Sequence, residues 1–321
     1  MTSTGNNWVA PPTTDEFEVS IFGPGFGECV IIHFGNAQWG VIDSCLDPSS
    51  KRPAALDYFQ AIHVDVEQSV RCVIATHWHD DHIHGISSVF EAAKRATIIC
   101  TAAIATNQFK SILASWNAMQ SLPGGSGVDE LRKILAELKT RKPDTKFPSP
   151  MLASANKTLW QRTENPSVIV KSLSPSDAAI IAATAQLANF APMASKIRRR
   201  IPDIKPNDAS VVLSVTVGPH KVLLGADLEV RNDPALGWKA ILESELTAER
   251  GQQGFKIPHH GSPNGHSADV WTQMLTPSPW AATTPFVSGS VMLPDVEDCR
   301  RILNHTPKSL FEKSFFLSRD V

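Results

Sequence analysis

The densest group of chemically active side chains in this sequence is a run of histidines and aspartates at positions 77 to 84. It reads H-W-H-D-D-H-I-H and follows the apolar stretch Arg71–Thr76, which predicts a short buried strand. Alternate residues at the end of a strand point the same way, so His77 and His79 can bind one divalent ion. Asp81 and His82 lie in the following turn and can supply a second ion. Imidazole together with carboxylate suits Zn²⁺, Mn²⁺ or Fe.

Two later segments complete a metal-binding set. Asp227 follows the apolar run V-L-L-G-A, and His259 and His260 follow a short predicted strand. Taken alone, an aspartate after a strand is typical of a turn or a helix cap, and a histidine pair beside proline and glycine is typical of a surface loop. Together with the first motif they predict a two-metal site in which Asp227 bridges the ions. The first ion takes His77, His79 and Asp227; the second takes Asp81, His82, Asp227 and one of His259 and His260.

The order of these motifs resembles the metallo-β-lactamase fold, and more narrowly the hydrolase domain of ComEC-type DNA-internalisation proteins. The motifs are H-x-H-x-D-H from His77, L-L-G-A-D-L-E from Leu223 and P-H-H-G-S from Pro258. Segments at 21–29, 41–44, 172–175 and 207–213 agree with it, so the resemblance spans roughly residues 16–305. It implies a four-layer αββα sandwich that binds two divalent ions, Zn or Mn. It also implies that His260 is the ligand, while His259 faces the substrate as an acid or a phosphate contact.

The sequence departs from the wider superfamily at three points. No histidine lies between His84 and His220, where the superfamily usually has another metal ligand, and His220 falls in a predicted hairpin turn. The ComEC-like group and the related phosphorylcholine esterases resemble this reduced set, which leaves the first ion more open. His84 replaces a glycine of the common motif, and it either lines the mouth of the site or starts a helix. Leu293-Pro294 replaces an expected histidine near the C-terminus.

Two divalent ions held by two carboxylates leave the site positively charged, which favours an anionic substrate. Each ion lowers the pKa of bound water to about 7, and the resulting hydroxide can attack a phosphodiester. Asp81, Asp227 and His259 are therefore the candidate catalytic residues. Asp43, at the end of a predicted strand, either orients a ligand histidine or caps the turn that follows.

A basic stretch just before Asn207 also bears on the substrate. Its members are Lys196, Arg198, Arg199, Arg200 and Lys205. They can hold a nucleic-acid backbone through phosphate contacts, or they form the solvated end of a helix. The net charge of −2 excludes a globally basic nucleic-acid coat, so attraction for phosphate must come from the metals and this stretch.

The 321 residues are 42% hydrophobic and only 19% charged, which allows a sizeable core and excludes wholesale disorder. The predicted strands are Glu16–Phe22, Glu28–Phe34, Gln38–Asp43, Arg71–Thr76, Thr97–Cys100, Val168–Leu173, Ser210–Val217, Lys221–Leu224 and Phe255–Ile257. The predicted helices are Ala54–His63, Gly85–Arg95, two pieces within Ala102–Leu138, Ala178–Ala194, Ala268–Leu275 and Val296–Leu303. Residues 141–166 are loop-like. We expect a lead-in over 1–15 and one α+β domain of two stacked sheets over 16–321, with a helical insertion at about 101–165.

The leading hypothesis is a two-metal phosphodiesterase or nuclease that acts on DNA. The alternatives are an acyl hydrolase such as a lactonase or a β-lactamase-like enzyme, a small-molecule phosphodiesterase such as a phosphorylcholine esterase, and a binding module with a degenerate site. These alternatives differ in whether the basic stretch matters for turnover.

No membrane insertion is expected, because the N-terminus lacks the regions of a signal peptide and the stretch Ala178–Ala194 is short and interrupted for a bilayer span. Five scattered cysteines without a C-x-x-C pair predict reduced thiols and a cytoplasmic location. ComEC-type proteins carry membrane channels, so a chain without one handles DNA as a free enzyme or beside a protein partner in the same pathway.

Overall fold

The computed structural model contains two seven-stranded sheets that lie face to face. The described residues are 10–105, 127–141, 148–188, 206–244, 249–311 and 314–320. The first sheet contains β1 (Glu16–Phe22), β2 (Cys29–His33), β3 (Trp39–Ile42), β4 (Val70–Ala75), β5 (Thr97–Thr101), β6 (Met151–Ala153) and β16 (Ser314–Asp320). The second contains β7 (Lys157–Arg162), β8 (Val168–Ser172), β9 (Leu213–Val217), β10 (His220–Leu224), β11 (Gln252–Lys256), β12 (Leu275–Ala282) and β15 (Ser309–Leu310). A separate hairpin pairs β13 (Phe286–Ser288) with β14 (Val291–Leu293).

The described helices cover the outer faces of both sheets. They are α1 (Ala54–Ala61), α2 (Val66–Ser69), α3 (Asp80–Ile83), α4 (Ile86–Ala92), α5 (Gly127–Thr140), α6 (Asp177–Ala188), α7 (Gly237–Leu242), α8 (Ala268–Gln273) and α9 (Val296–Leu303). None of these described helices is long and apolar enough to cross a membrane.

Three apolar clusters separate the layers. Between the sheets, Val19 and Ile21 of β1 and Ile32 of β2 pack with Val215 of β9. The alternate residues of β2 point the other way, so Ile31 packs under α1 and α4. On the outer face of the second sheet, side chains of α7, α8 and α9 pack on β11. The chain is therefore the expected four-layer αββα sandwich of the metallo-β-lactamase type.

Strand direction determines where the site forms. In the first sheet β3, β4, β5 and β6 run parallel, and in the second β10, β11, β12 and β15 do so. The carboxyl ends of neighbouring parallel strands meet at one edge of a sheet, where loops form ligand sites. The loops after β4, β10 and β11 carry the predicted metal-binding residues, and the loop after β3 carries Asp43.

The structure corrects two element predictions. Residues 141–166 are not all loop, because β6 and β7 lie there; both are edge strands, and β7 buries only Leu159, which explains its polar composition. The predicted insertion at 101–165 is accordingly not wholly helical: its described α-helix is α5, and residues 106–126 lie outside the described ones. The predicted helix at 178–194 is present as α6 up to Ala188, and residues 189–194 lie outside the described ones. The division into a lead-in and one domain remains a prediction.

Candidate metal centre

Three loops bring the predicted ligands to one point at the edge of the sandwich. His77 and His79 follow β4, Asp81 and His82 lie in the single turn α3, Asp227 follows β10, and His260 follows β11. Potential ligand atoms lie within 4.8 Å of one another in the group His77, His79 and Asp227, and likewise in the group Asp81, His82, Asp227 and His260. These are the two sets that the sequence assigns to the first and second ions.

Asp227 belongs to both groups and faces them with different oxygens. Its Oδ2 lies 3.9 Å from His77 Nε2, and its Oδ1 lies 3.2 Å from His82 Nε2. Across the second group, His260 Nε2 lies 3.3 Å from Asp81 Oδ2. A carboxylate whose two oxygens point at two ligand sets is the arrangement that a bridging ligand requires.

The buried donors fit a metal ion. His77 Nε2 is buried and makes no hydrogen bond within the described structure, and the buried His82 Nε2 and Asp227 Oδ1 have each other at 3.2 Å. Leaving a buried atom such as His77 Nε2 unpaired costs about 1–3 kcal/mol, and a bound metal ion would give it a partner. Imidazole nitrogen and carboxylate oxygen are the donors that Zn²⁺ and Mn²⁺ accept, and each of the three atoms faces another member of the cluster.

The electrostatics of the cluster point the same way. Burial opposes ionisation of Asp81 and Asp227, but the neighbouring His82 outweighs it and holds the pKa of both carboxyls below the ordinary value. Burial likewise opposes protonation of His82, yet Asp227 and Asp81 hold its pKa well above the usual value. Burial, His82 and His79 hold the pKa of His77 well below its usual value, which leaves His77 neutral. The two ionised carboxylates stabilise a proton on His82. They can stabilise a bound cation in place of that proton.

The histidines are oriented from behind by hydrogen bonds. His82 Nδ1 lies 2.7 Å from Asp43 Oδ2, so Nδ1 donates to the carboxylate and Nε2 faces the cluster. The Thr76 hydroxyl donates to the same Asp43 oxygen at 2.7 Å and lies 3.0 Å from His77 Nδ1. Asp43 therefore orients His82 directly and His77 through Thr76. It also accepts the Thr76 backbone N–H at 2.8 Å, which holds the ends of β3 and β4 together.

Four non-glycine residues with left-handed backbone lie at the same place. Asp43, Ala226, His259 and His260 all have left-handed backbone with φ between 44° and 58°. This conformation costs a non-glycine residue of order 1–3 kcal/mol and persists where the surroundings enforce it, commonly at functional sites. Each of these residues is itself a predicted site residue or directly precedes one.

His259 lies beside the cluster, outside the metal-binding groups found among the described residues. Its side chain is 22% exposed, with Nδ1 at 3.0 Å from the Ser262 hydroxyl and 3.6 Å from Glu229. Its Nε2 lies 3.5 Å from the amide of Asn207, which donates to Glu229 at 2.9 Å. His259 is thus fixed next to His260 with a face open to solvent, where a substrate can reach it.

Several residues of this site were not predicted from the sequence. Thr76 and Thr284 contact the predicted ligands His77 and His260, and Glu28 and Lys256 form a buried ion pair behind them. A threonine at a strand end carries no chemical signal of its own. The one available signal was the charged Lys256 between the apolar Phe255 and Ile257, which a buried partner explains.

Other predicted or considered residues do not join the cluster. The basic residues Lys196, Arg198, Arg199, Arg200 and Lys205 lie outside the described residues. His220 begins β10 and stacks on Phe17, at the opposite ends of the parallel strands. His84 precedes α4 and lines a groove of about 560 Å³ beside the cluster, together with Phe26 and Val287.

No family model matches the sequence, and a search of curated proteins finds no match. Several solved structures are similar to this chain in fold. The metallo-β-lactamase-fold protein YhfI from Bacillus subtilis is 12% identical, with 95% of this chain and 100% of that chain covered and a TM-score of 0.47. Zn²⁺-bound PqqB from Methylobacterium extorquens is 10% identical, with 95% and 100% covered and a TM-score of 0.46. A variant of the β-hydroxylase CmlA is 14% identical, with 96% of this chain and 54% of that chain covered and a TM-score of 0.49.

Proposed function

We propose that this protein is a metal-dependent hydrolase whose two-metal centre cleaves phosphodiester bonds, with DNA as the expected substrate. The observation that carries the proposal is the buried Asp227, whose two oxygens face two separate ligand sets. A shared carboxylate is typical of paired-metal centres in phosphatases and nucleases, where the ions lie about 3.5–4 Å apart.

Bound divalent ions supply a water nucleophile at neutral pH and stabilise the attacking and leaving oxygens of an in-line displacement. The chain's own residues would bind the ions, orient the ligands and donate a proton. Asp81, Asp227 and the ligand histidines hold the ions, and Asp43 and Thr76 fix the orientation of His82 and His77. His259, held by Ser262 and the Asn207–Glu229 pair, stands ready to donate a proton to a leaving oxygen or to contact a phosphate.

The assignment to DNA rests on charge and on motif order. Two divalent ions against the carboxylates Asp81 and Asp227 attract an anion, and the stretch from Lys196 to Lys205 adds local positive charge. The resemblance to ComEC-type hydrolase domains points to DNA among the anionic polymers. We also propose, on the cysteine pattern, a cytoplasmic enzyme that acts alone or beside a protein partner in the same pathway.

A substrate panel tests this function. Protein loaded with Zn²⁺ or Mn²⁺ is incubated with labelled single- and double-stranded DNA, RNA, bis-p-nitrophenyl phosphate and a lactone. We expect metal-dependent cleavage of DNA and of the small phosphodiester. Asp227→Asn should abolish it, while Asp269→Asn, an exposed aspartate in the first turn of α8, should not. Hydrolysis of the lactone with no cleavage of any phosphodiester would contradict the proposal.

One observation favours the acyl hydrolase as the second candidate. The groove beside the cluster is lined largely by apolar side chains, among them Phe26, Leu46 and Val287. Its charged members are Asp47, Lys51 and Asp80. Such a lining suits an ester with an apolar acyl group. Replacing Arg198, Arg199 and Arg200 by glutamine distinguishes the phosphodiesterase from the acyl hydrolase. Cleavage of DNA should fall when these charges are removed, whereas turnover of the lactone should not change.

A further inference from the structure

A buried ion pair lies directly behind the second group of ligands. Lys256 Nζ is 2.6 Å from Glu28 Oε2, and the two side chains are 1% and 2% exposed. Burying two charges is expensive, and a pair of apolar residues of similar size often stabilises a fold as well or better. Such a pair therefore calls for a role other than stability.

Glu28 and Lys256 are tied to the three chain segments that supply the second group. The Glu28 backbone N–H donates to the carbonyl of Asp81 at 2.8 Å. Lys256 Nζ donates to the carbonyl of Ala226 at 3.3 Å, immediately before Asp227. The third connection joins Glu28 to His260 through the Thr284 hydroxyl.

This third connection determines which nitrogen of His260 is available to a metal. The Thr284 hydroxyl donates its proton to Glu28 Oε2 at 2.6 Å, which leaves its oxygen lone pairs free to accept. His260 Nδ1 lies 3.1 Å from that oxygen and 3.3 Å from the Thr284 carbonyl, and both are acceptors for an Nδ1–H. The proton of a neutral His260 is therefore held on Nδ1, and the lone pair of Nε2 points at Asp81.

The same device occurs on the other side of the site. There Asp43 accepts from the Thr76 hydroxyl, which contacts His77 Nδ1. The first sheet supplies both carboxylates, and each sheet supplies one threonine after a parallel strand and one histidine. The difference is that Glu28 is neutralised by Lys256, whereas Asp43 contacts His82 directly.

We propose that Glu28, Lys256 and Thr284 are positioning residues for the second metal ion: they hold Asp81, Asp227 and His260 in register and keep Nε2 of His260 free. The inference rests on the proposed two-metal centre. The Thr284 hydroxyl contacts His260, which belongs to the second group alone, so a change confined to that hydroxyl should spare the first ion.

Thr284→Val is the cleanest perturbation, because valine keeps the shape of threonine and removes only the hydroxyl. The shape of the side chain matters because Gly23 packs closely on Thr284: a Cβ added to Gly23 would lie 2.3 Å from the Cβ of Thr284. Thr283→Val is the matched control: Thr283 is equally buried, and its hydroxyl makes no hydrogen bond among the described residues.

Metal-free proteins are titrated with Zn²⁺, and the two dissociation constants and the bound metal per chain are measured. We expect Thr284→Val to weaken the second ion about 10–100-fold and leave the first unchanged, with Thr283→Val like wild type. Equal weakening of both ions, or no change, would overturn the inference. A wild-type protein that binds fewer than two ions would instead overturn the proposed two-metal function.

A double variant separates positioning from stability. Glu28→Leu with Lys256→Met removes both charges without leaving either one buried alone, so the protein should unfold at a denaturant concentration close to that of wild type. We expect its second ion to remain weakened at least about tenfold. Restoration of both stability and second-ion affinity in this variant would show that the pair is only structural and would refute the inference.

Discussion

Replacing Asp43 by asparagine perturbs the orientation of two ligand histidines at once. The side chain is 2% exposed and accepts three hydrogen bonds, from the Thr76 N–H, the Thr76 hydroxyl and His82 Nδ1. Asparagine has the same shape but only one acceptor oxygen. If that oxygen still accepts the Thr76 N–H, the side-chain amide NH₂ takes the place of the other oxygen, beside the Thr76 hydroxyl and His82 Nδ1. His82 then accepts at Nδ1 and carries its proton on Nε2, where the proton blocks metal binding.

The magnitude follows from these contacts. One buried donor left without its acceptor costs about 1–3 kcal/mol, so the metal-free variant should lose about that much free energy of unfolding. Loss of the partner that orients a ligand histidine weakens metal binding about 10–100-fold, which is about 1.4–2.7 kcal/mol. Both ions should be affected, because Asp43 orients His77 through Thr76 as well as His82.

The assay is a Zn²⁺ titration in competition with a chromophoric chelator, with urea unfolding of the metal-free protein alongside. Asp65→Asn is the control, since Asp65 is an exposed cap of α2 that accepts the Gln68 N–H, and asparagine caps a helix equally well. If Asp43→Asn bound both ions as tightly as wild type, the orienting role of Asp43 would be refuted.

The remaining predictions concern the rest of the fold. Burial lowers the pKa of His33 to about 4, so its stability contribution is present above its ordinary pKa of 6.5 and is lost as the pH falls towards 4. This loss amounts to about 3 kcal/mol of unfolding free energy. His33→Phe should remove the pH dependence, as measured by urea unfolding at a series of pH values. Cys299 is partly exposed and the other four cysteines are buried, so a thiol reagent should label Cys299 first and the other four only after unfolding, as counted by mass spectrometry. Ile32→Ala, between the sheets, should cost about 2–5 kcal/mol of unfolding free energy without changing the number of metal ions bound.

The sequence predicted those features that are encoded locally. β1 and α9 have their predicted bounds, and β9 and β10 form the predicted hairpin, although His220 begins β10 and does not lie in the turn. The candidate metal-binding motifs were recognisable because each follows a predicted strand, and parallel strands bring their ends together.

The remaining features depend on contacts between distant parts of the chain. Thr284 and Glu28 are 256 residues apart in sequence, so their hydrogen bond has no local pattern. β12 was missed because Pro277 and Pro279 argue against a strand, although it lies within the second sheet between β11 and β15.

The central claim, a two-metal centre bridged by Asp227, is tested most directly by a crystal structure of the Zn²⁺- or Mn²⁺-loaded protein with anomalous scattering from the metal. We predict two anomalous peaks about 3.5–4 Å apart, one bound by His77 and His79 and the other by Asp81, His82 and His260, with one Asp227 oxygen on each. A single ion, or two ions that do not share Asp227, would contradict this account.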